Sequence, residues 1–161
     1  MESHDVLVLI AEVAVAIAGF SSVVVALEAR AVKSWSAYQR HNLRVLLQVS
    51  ALTIFFSIFP LIFQRVIEGP DSWKWALGFY AVVHTIDVTS FIRALPKNLP
   101  TGYKIIPYVG LTLALVSIAV AWWASPLVAE VLYLCNLVWH LGIAAMGFAM
   151  LMMGEREASA S

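Results

Sequence analysis

The sequence predicts an all-α integral membrane protein that forms a bundle of five transmembrane helices. Composition is the first reason: 61% of the residues are hydrophobic and 12% are charged, whereas a soluble domain is about half apolar and about a quarter charged. Length is the second, because the apolar residues form five runs of about 20 residues or more, enough to cross a hydrocarbon core of about 30 Å. The expected spans of this single domain (1–161) are residues 6–27, 43–64, 74–94, 105–124 and 127–153.

The first two spans differ in how they begin. A secretory leader would require Lys or Arg near its start, and none precedes Arg30. Residues 6–27 are therefore expected to be a span and not a cleaved signal peptide. Ser36 and Gln39 have the spacing of a capping box, which predicts that the second helix begins near residue 36. This helix is longer than a bilayer requires, so its start is expected to extend into the cytoplasm. Pro60 is expected to kink it.

Prolines and a tight turn separate the last three spans. The third span is expected to end at the prolines of RALPKNLPTG (93–102), and Pro107 is expected in the first turn of the fourth. Ser125 is a favourable N-cap and Pro126 a favourable first helical residue, so the fifth helix is expected to follow after one tight turn. A single helix over 105–153 would be roughly 73 Å long, more than twice the hydrocarbon thickness.

Positive charges indicate the orientation, because Lys and Arg concentrate on the cytoplasmic side of membrane proteins. With five spans, the first and third connections and the C-terminus lie on one side, which holds every Lys and Arg except Arg65 and Lys74. The N-terminus is therefore expected outside and the C-terminus in the cytoplasm, in the inner membrane of a bacterium. The cations of the two connections form what we call the basic rim: Arg30, Lys33, Arg40, Arg44, Arg93, Lys97 and Lys104.

Ionisable and amide side chains lie inside the predicted spans. Burying such a group costs free energy unless it is paired or faces water, so these residues are candidates for an ion pathway. The candidates are Glu12, Gln48, His84, Asp87, Asn136 and His140. Helical spacing gives two stripes, expected to face each other, because separations of three, four and seven return to one face. One stripe comprises Tyr80, His84 and Asp87, and the other comprises Tyr133, Asn136 and His140.

The first span carries small residues on the same side as a carboxylate. By helical periodicity, Glu12 shares a face with Val23 and with several small residues. Small side chains let membrane helices approach closely. The residues expected to pack against another helix or to line a pore are Ala16, Gly19, Ser22 and Ala26. We therefore expect this helix to pack tightly against another one.

Two transport functions are compatible with the polar residues. In the first, several copies assemble, and Glu12 or Asp87 forms a ring of carboxylates at the axis of a homo-oligomeric pore or cation channel. In the second, Glu12, Asp87 and the two intramembrane histidines relay protons, which predicts a proton-coupled small transporter or a membrane subunit of a transport complex. The structural alternative is that these side chains only form hydrogen bonds between helices.

A cofactor site is a third hypothesis. His84 and His140 lie at similar depth on different helices, as the axial ligands of a haem would, and Gly78, Gly142 or Gly147 would leave room for the ring. A metal ion held by the His-x-x-Asp pair of the third helix would need a further ligand from another helix. No other cofactor is expected.

The basic rim has two interpretations. Trp35, Tyr38 and Tyr103 lie among its cations, an arrangement suited to acidic lipid headgroups or to an anionic cytosolic ligand that gates the channel, as in a membrane effector. Topology alone also explains the rim, since positive charge on the cytoplasmic side needs no ligand. The expected partners are the lipid bilayer, further copies of the chain, and an anionic ligand or partner subunit. The net charge of zero gives no support for binding to a DNA duplex.

An enzyme is not expected. The sequence has no G-x-S-x-G, no phosphate-binding glycine loop and no H-E-x-x-H motif. The remaining enzymatic hypothesis is an intramembrane hydrolase that uses Asp87 with His84 and His140. The single cysteine, Cys135, excludes an internal disulfide and a cysteine-based metal cluster within one chain.

Overall fold

Five α-helices make up the described part of the chain. The computed structural model describes residues 3–27, 37–67, 69, 71–93, 95 and 101–159, without the side chains of residues 27, 37–38, 101–103 and 153–159. The helices are α1 (Ser3–Leu27), α2 (Ala37–Val66), α3 (Ser72–Arg93), α4 (Thr101–Trp123) and α5 (Pro126–Ser159). The predicted all-helical fold is confirmed for these residues.

Each helix is long and apolar enough to cross a membrane. The apolar stretches comprise 20 to 28 residues, which corresponds to about 30–42 Å at 1.5 Å per residue. Large apolar side chains on the outside of these helices stay exposed, among them Phe20, Ile86 and Val138. Exposed apolar surface of this extent is typical of helices that face lipid or another protein.

The junction between α4 and α5 follows the predicted turn. α4 ends at Trp123 and α5 begins at Pro126. The backbone N–H of Val128 donates to Ser125 Oγ at 3.4 Å, and the N–H of Ala129 donates to the Ser125 carbonyl at 3.1 Å. Ser125 therefore caps α5 as expected, and proline occupies the first helical position, where its missing N–H costs nothing.

The connection between α2 and α3 is also short. Gly69 has a φ of 95°, a left-handed conformation that glycine adopts without a steric penalty. Just after it, the Asp71 carbonyl accepts hydrogen bonds from the N–H groups of Lys74 and Trp75 at 3.0 and 3.2 Å. These two bonds form the first turn of α3.

α4 begins earlier than the sequence suggested. Its first residue is Thr101, so Pro107 lies six residues inside the helix and not in its first turn. A proline at this position removes one backbone hydrogen bond, yet the helix continues. Pro60 likewise lies inside α2. The predicted cap of α2, Ser36, lies outside the described residues, and α2 begins at the next residue, Ala37.

The chain divides into two compact units. Unit 1 comprises Met1–Ile58 and Leu137–Ser161, and unit 2 comprises Phe59–Asn136. Within unit 1, α5 approaches α2 closely, because a methyl group at Gly147 would lie 3.4 Å from Leu46 Cβ. The core residues of this unit include Leu7, Ile10, Ala14, Leu46 and Phe56.

Unit 2 is built around the packing of α3 along α4. A methyl group at Gly78 of α3 would lie 3.8 Å from Ala121 Cβ of α4, an ordinary contact distance. At the end of α2, the ring of Phe59 stacks on Phe79 of α3 with centroids 4.2 Å apart and planes 7° from parallel. The core residues include Trp73, Leu77, Tyr80, Ala114 and Tyr133.

Candidate functional site

Unit 2 contains a buried group of polar side chains from three helices, which we call the polar cluster. Its members are Tyr80 and His84 of α3, Ser117 of α4, and Tyr133 and Asn136 of α5. Each of these residues is at most 3% exposed. Buried polar groups need hydrogen-bond partners, so their bonds indicate what the cluster does.

Asn136 links α5 to α4. Its Nδ2 donates to Ser117 Oγ at 2.9 Å and to the Leu132 carbonyl of its own helix at 2.9 Å. Ser117 Oγ donates in turn to the Leu113 carbonyl at 2.8 Å. On α3, His84 forms a hydrogen bond with the backbone of Gly110 of α4. These bonds join the three helices to one another.

The aromatic members of the cluster touch directly. The rings of Tyr80 and His84 stack at 5.3 Å, and the ring of Tyr133 meets that of Tyr80 edge-on at 5.6 Å. Trp73 packs edge-on against Tyr133 at 5.9 Å. The predicted meeting of the two polar stripes is thus confirmed for Tyr80 and Tyr133. Asp87, one turn beyond His84, is half-buried.

The α4 residues that bond in this region, Ser117 of the cluster and the backbone of Gly110, were not predicted. Ser117 lies in the apolar run LTLALVSIAVAWW (111–123), which also contains several alanines, and Gly110 lies just before this run. Neither forms a repeat with another polar residue of α4. The only signal available was their size, which permits close approach of a neighbouring helix.

Unit 1 has its own buried polar residues on α2 and α5. Ser50, Thr53 and Ser57 are at most 2% exposed. Thr53 Oγ1 donates to the Val49 carbonyl and Ser57 Oγ to the Thr53 carbonyl, both at 2.8 Å. His140 is 2% exposed, and its ring centroid lies 6.4 Å from that of Phe56. Gln48 of α2 is half-buried.

α1 presents a carboxylate on its exposed side. The buried side of α1 carries Leu7, Ile10, Ala14 and Ser21. At 100° per residue, Glu12 lies opposite this side, near the middle of the exposed arc. We define the Glu12 face as the exposed residues Glu12, Ala16, Gly19, Val23 and Ala26.

The Glu12 face is open and otherwise apolar. A methyl group built at Gly19 meets nothing within 4 Å. Val8, Val15 and Val23 beside or on this face are 41–55% exposed. Ser22, also predicted to pack against a helix, is exposed next to it, and its hydroxyl donates to the Ala18 carbonyl at 2.9 Å. The small residues predicted to pack are therefore exposed in the part of the chain that the structure describes.

The described members of the basic rim are mostly exposed. Arg40, Arg44 and Arg93 are exposed, and Lys104 is half-buried. Arg30, Lys33 and Lys97 lie outside the described residues.

The histidines proposed as haem ligands belong to different units of the chain, and each proposed glycine is described within its own unit. His84 belongs to unit 2 and His140 to unit 1. Gly78 faces Ala121, and Gly147 faces Leu46, whereas Gly142 is exposed with nothing within 4 Å of an added methyl group. Among the side chains that the structure describes, no three from His, Cys, Asp and Glu are grouped as metal ligands would be.

The fold and these sites define a class: an all-helical protein whose five described helices are each long and apolar enough to cross a membrane. No known protein family matches the chain, and no curated protein or solved structure is significantly similar to it.

Proposed function

We propose that the protein is an integral membrane protein whose copies assemble through the Glu12 face into a cation-conducting pore. One observation carries the proposal: a carboxylate lies on the exposed side of an apolar helix, directly opposite the side that the chain buries. The proposed orientation has the N-terminus outside and the C-terminus in the cytoplasm, and it follows from the positions of Lys and Arg. The predicted location is a bacterial inner membrane.

The cost of exposing a carboxylate to lipid supports assembly. An ionised acidic side chain at the centre of a membrane helix costs about 2.5–3.5 kcal/mol on insertion scales. Glu12 follows Ser3 by nine residues, or about 14 Å of helix, which is too deep for its short side chain to reach the interface easily. Association of several copies would remove this carboxylate from lipid and place it at a shared, hydrated axis.

The residues around Glu12 suit such an assembly. Ala16, Gly19 and Ala26 are exposed and small, so that two copies of α1 can approach closely. A ring of carboxylates at the axis of an oligomer attracts cations and repels anions. The half-buried Asp87 is the second candidate carboxylate for the pathway. The buried, hydrogen-bonded His84 and Asn136 are better suited to holding the helices of unit 2 together.

The basic rim supports regulation from the cytoplasmic side. Arg40, Arg44 and Arg93 are exposed cations, and cations brought together by assembly would bind an anionic ligand or acidic lipid headgroups. In the proposed orientation this rim lies at the cytoplasmic end of the pathway, where a gating ligand would act.

Single-channel recording tests the pore. Purified protein in planar bilayers is compared with Glu12→Gln, Asp87→Asn and the control Glu130→Gln, which removes the same charge from α5. We expect discrete openings in the wild type and in Glu130→Gln. In Glu12→Gln the preference for cations over anions should fall by about tenfold or more, because the ring loses its charge. Asp87→Asn shows whether the second carboxylate contributes.

Two results would contradict the proposal, the first for the role of Glu12 and the second for the pore itself. Wild-type openings with unchanged selectivity in Glu12→Gln would remove that carboxylate from the pathway. Silence of the wild type, with and without anionic cytosolic extract, would reject a pore made of this chain alone. Steady proton-coupled flux without single-channel steps would instead favour the transporter or transport-complex hypothesis.

A further inference from the structure

Unit 2 has an open cleft of about 550 Å³. It lies where α3 begins and α4 ends, beside the end of α2. A volume of this size accommodates one small molecule or one lipid chain. Most of its walls are apolar, and they include Trp75, Gly78, Phe79, Val82, Ile118 and Trp122.

Two features give the cleft a defined shape. Phe79, on one wall, is held by its stack on Phe59 at 4.2 Å. Gly78 leaves space next to Ala121, and a larger side chain at this position would fill it. The outer residues Trp75, Val82 and Trp122 are each more than half exposed, so the cleft is open sideways, in the direction from which a lipid would enter.

An ion pair lies at one end of this apolar cleft. Lys74 Nζ lies 3.3 Å from Asp71 Oδ1, and the two side chains are 29% and 63% exposed. Both residues line the cleft. From Lys74 to Val82 the wall extends for eight residues of α3, or about 12 Å. The cleft therefore has one positive and one negative charge at one end and apolar walls along the rest of its length.

We propose that this cleft binds one phospholipid with an ethanolamine headgroup, its phosphate at Lys74, its ammonium at Asp71 and one acyl chain along α3 and α4. The charges of the headgroup complement those of the pair. An exposed ion pair of this kind contributes little to stability, so it can open and exchange partners with a headgroup at small cost.

The chemistry of the pair selects among headgroups. A primary ammonium donates hydrogen bonds to the Asp71 carboxylate, whereas the quaternary ammonium of a choline lipid has no N–H to donate. A glycerol headgroup offers a phosphate and neutral hydroxyl groups but no cation, so the negative charge of Asp71 is left without an opposite charge. Trp75 and Trp122 at the rim of the cleft are typical of a membrane interface, where lipid headgroups lie. The inference rests on membrane insertion but not on the pore.

Native mass spectrometry of the full chain in detergent tests the proposal. Ethanolamine, choline and glycerol phospholipids with identical acyl chains are titrated against the wild type and five variants. Lys74→Gln and Asp71→Asn each remove one charge, and Arg65→Gln removes an exposed cation near the end of α2 that does not line the cleft. Gly78→Leu fills the cleft, and Gly142→Leu adds the same bulk at an exposed position of α5.

We expect one tightly bound ethanolamine lipid per chain, with affinity about tenfold higher than for the other two lipids. Lys74→Gln and Asp71→Asn should remove this preference, and Gly78→Leu should abolish the tight site, while both controls behave like the wild type. Equal binding of all three lipids would overturn the proposal. So would an ethanolamine preference that survives Gly78→Leu. Because binding is measured without current, loss of lipid selectivity with intact channel openings would reject this site and leave the pore standing.

Discussion

The polar cluster and the Glu12 face differ in the burial of their polar groups. In the cluster, Asn136 is buried and bonds to Ser117 and to the Leu132 carbonyl. On α1, Glu12 lies on the exposed side among apolar neighbours such as Val8 and Val15. The cluster forms its hydrogen bonds inside one chain, whereas the Glu12 face is left open to a partner.

The difference separates two roles for intramembrane polar residues. A buried hydrogen-bonded group between helices adds a modest stabilisation and fixes how the helices pack. An exposed carboxylate on an apolar helix destabilises the isolated chain in lipid and becomes favourable only with a partner or with water. Substitutions in the cluster should therefore change stability, and substitutions on the Glu12 face should change assembly or conduction.

The largest effect is expected for Tyr80→Ala. Tyr80 is fully buried, stacks on His84 and meets Tyr133 edge-on, so its removal leaves a cavity at the centre of unit 2. Loss of a buried aromatic ring costs about 3–5 kcal/mol. The free energy of unfolding, measured by tryptophan fluorescence during titration of mixed micelles with a denaturing detergent, should fall by this amount.

Tyr108→Ala is the matched control for this variant. Tyr108 is a tyrosine of α4 that is 54% exposed, and a substitution at such a position changes stability by about 0.5 kcal/mol or less. Equal losses in the two variants would mean that the ring of Tyr80 is not enclosed by the cluster.

The next effect concerns assembly through α1. Gly19→Leu and Gly142→Leu add the same side chain at two exposed glycines, and a methyl group built at either glycine meets nothing within 4 Å. Both should therefore fold. If copies associate through the Glu12 face, only Gly19→Leu blocks the close approach and raises the dissociation constant of the oligomer, by about tenfold or more.

Analytical ultracentrifugation in density-matched detergent gives the oligomeric state of each variant. A Gly19→Leu oligomer as stable as the wild type would exclude the Glu12 face from the interface. If Gly142→Leu dissociated the oligomer and Gly19→Leu did not, the interface between copies would lie on α5.

The sequence predicted the helices better than their faces. Five apolar runs, together with Ser125 and Pro126, were enough to define five helices and the last turn. Periodicity also grouped Glu12 with Ala16 and Gly19 correctly. It could not show which side of α1 the chain buries, because apolar residues surround the whole helix and hydrophobicity alone does not distinguish one face. The small residues suggested close packing, yet the chain buries the opposite side, around Leu7 and Ile10.

The polar cluster was predictable only in part. Tyr80 and Tyr133 were assigned to facing stripes because each lies on a helix with other polar residues at helical spacing. Ser117 gave no such signal, since a single serine in an apolar run is compatible with a bond to its own helix. Its role depends on how α4 lies beside α5, which is a property of the fold and not of the local sequence.

The smallest effect is expected for the bond between Asn136 and Ser117. In a double-mutant cycle of Asn136→Leu and Ser117→Ala, the coupling energy should be about 0.6 kcal/mol, and at most about 1.7 kcal/mol. The coupling energy should be small because the residue left in each single variant keeps a hydrogen-bond partner. Asn136 keeps the Leu132 carbonyl in Ser117→Ala, and Ser117 keeps the Leu113 carbonyl in Asn136→Leu. The described residues give Asn136 Oδ1 no hydrogen-bond partner, which lowers the cost of Asn136→Leu further.

Thr112→Ala in place of Ser117→Ala provides the control cycle. Thr112 is exposed on α4 and donates only to the Tyr108 carbonyl of its own helix at 2.9 Å, so its coupling to Asn136→Leu should be zero within error. Equal coupling energies in the two cycles would mean that the coupling comes from a general perturbation of α4 and not from the bond between Asn136 and Ser117. A coupling well above about 2 kcal/mol for Ser117 would mean that Asn136 loses both partners together, and the cluster would then be a single cooperative network rather than a set of separate bonds.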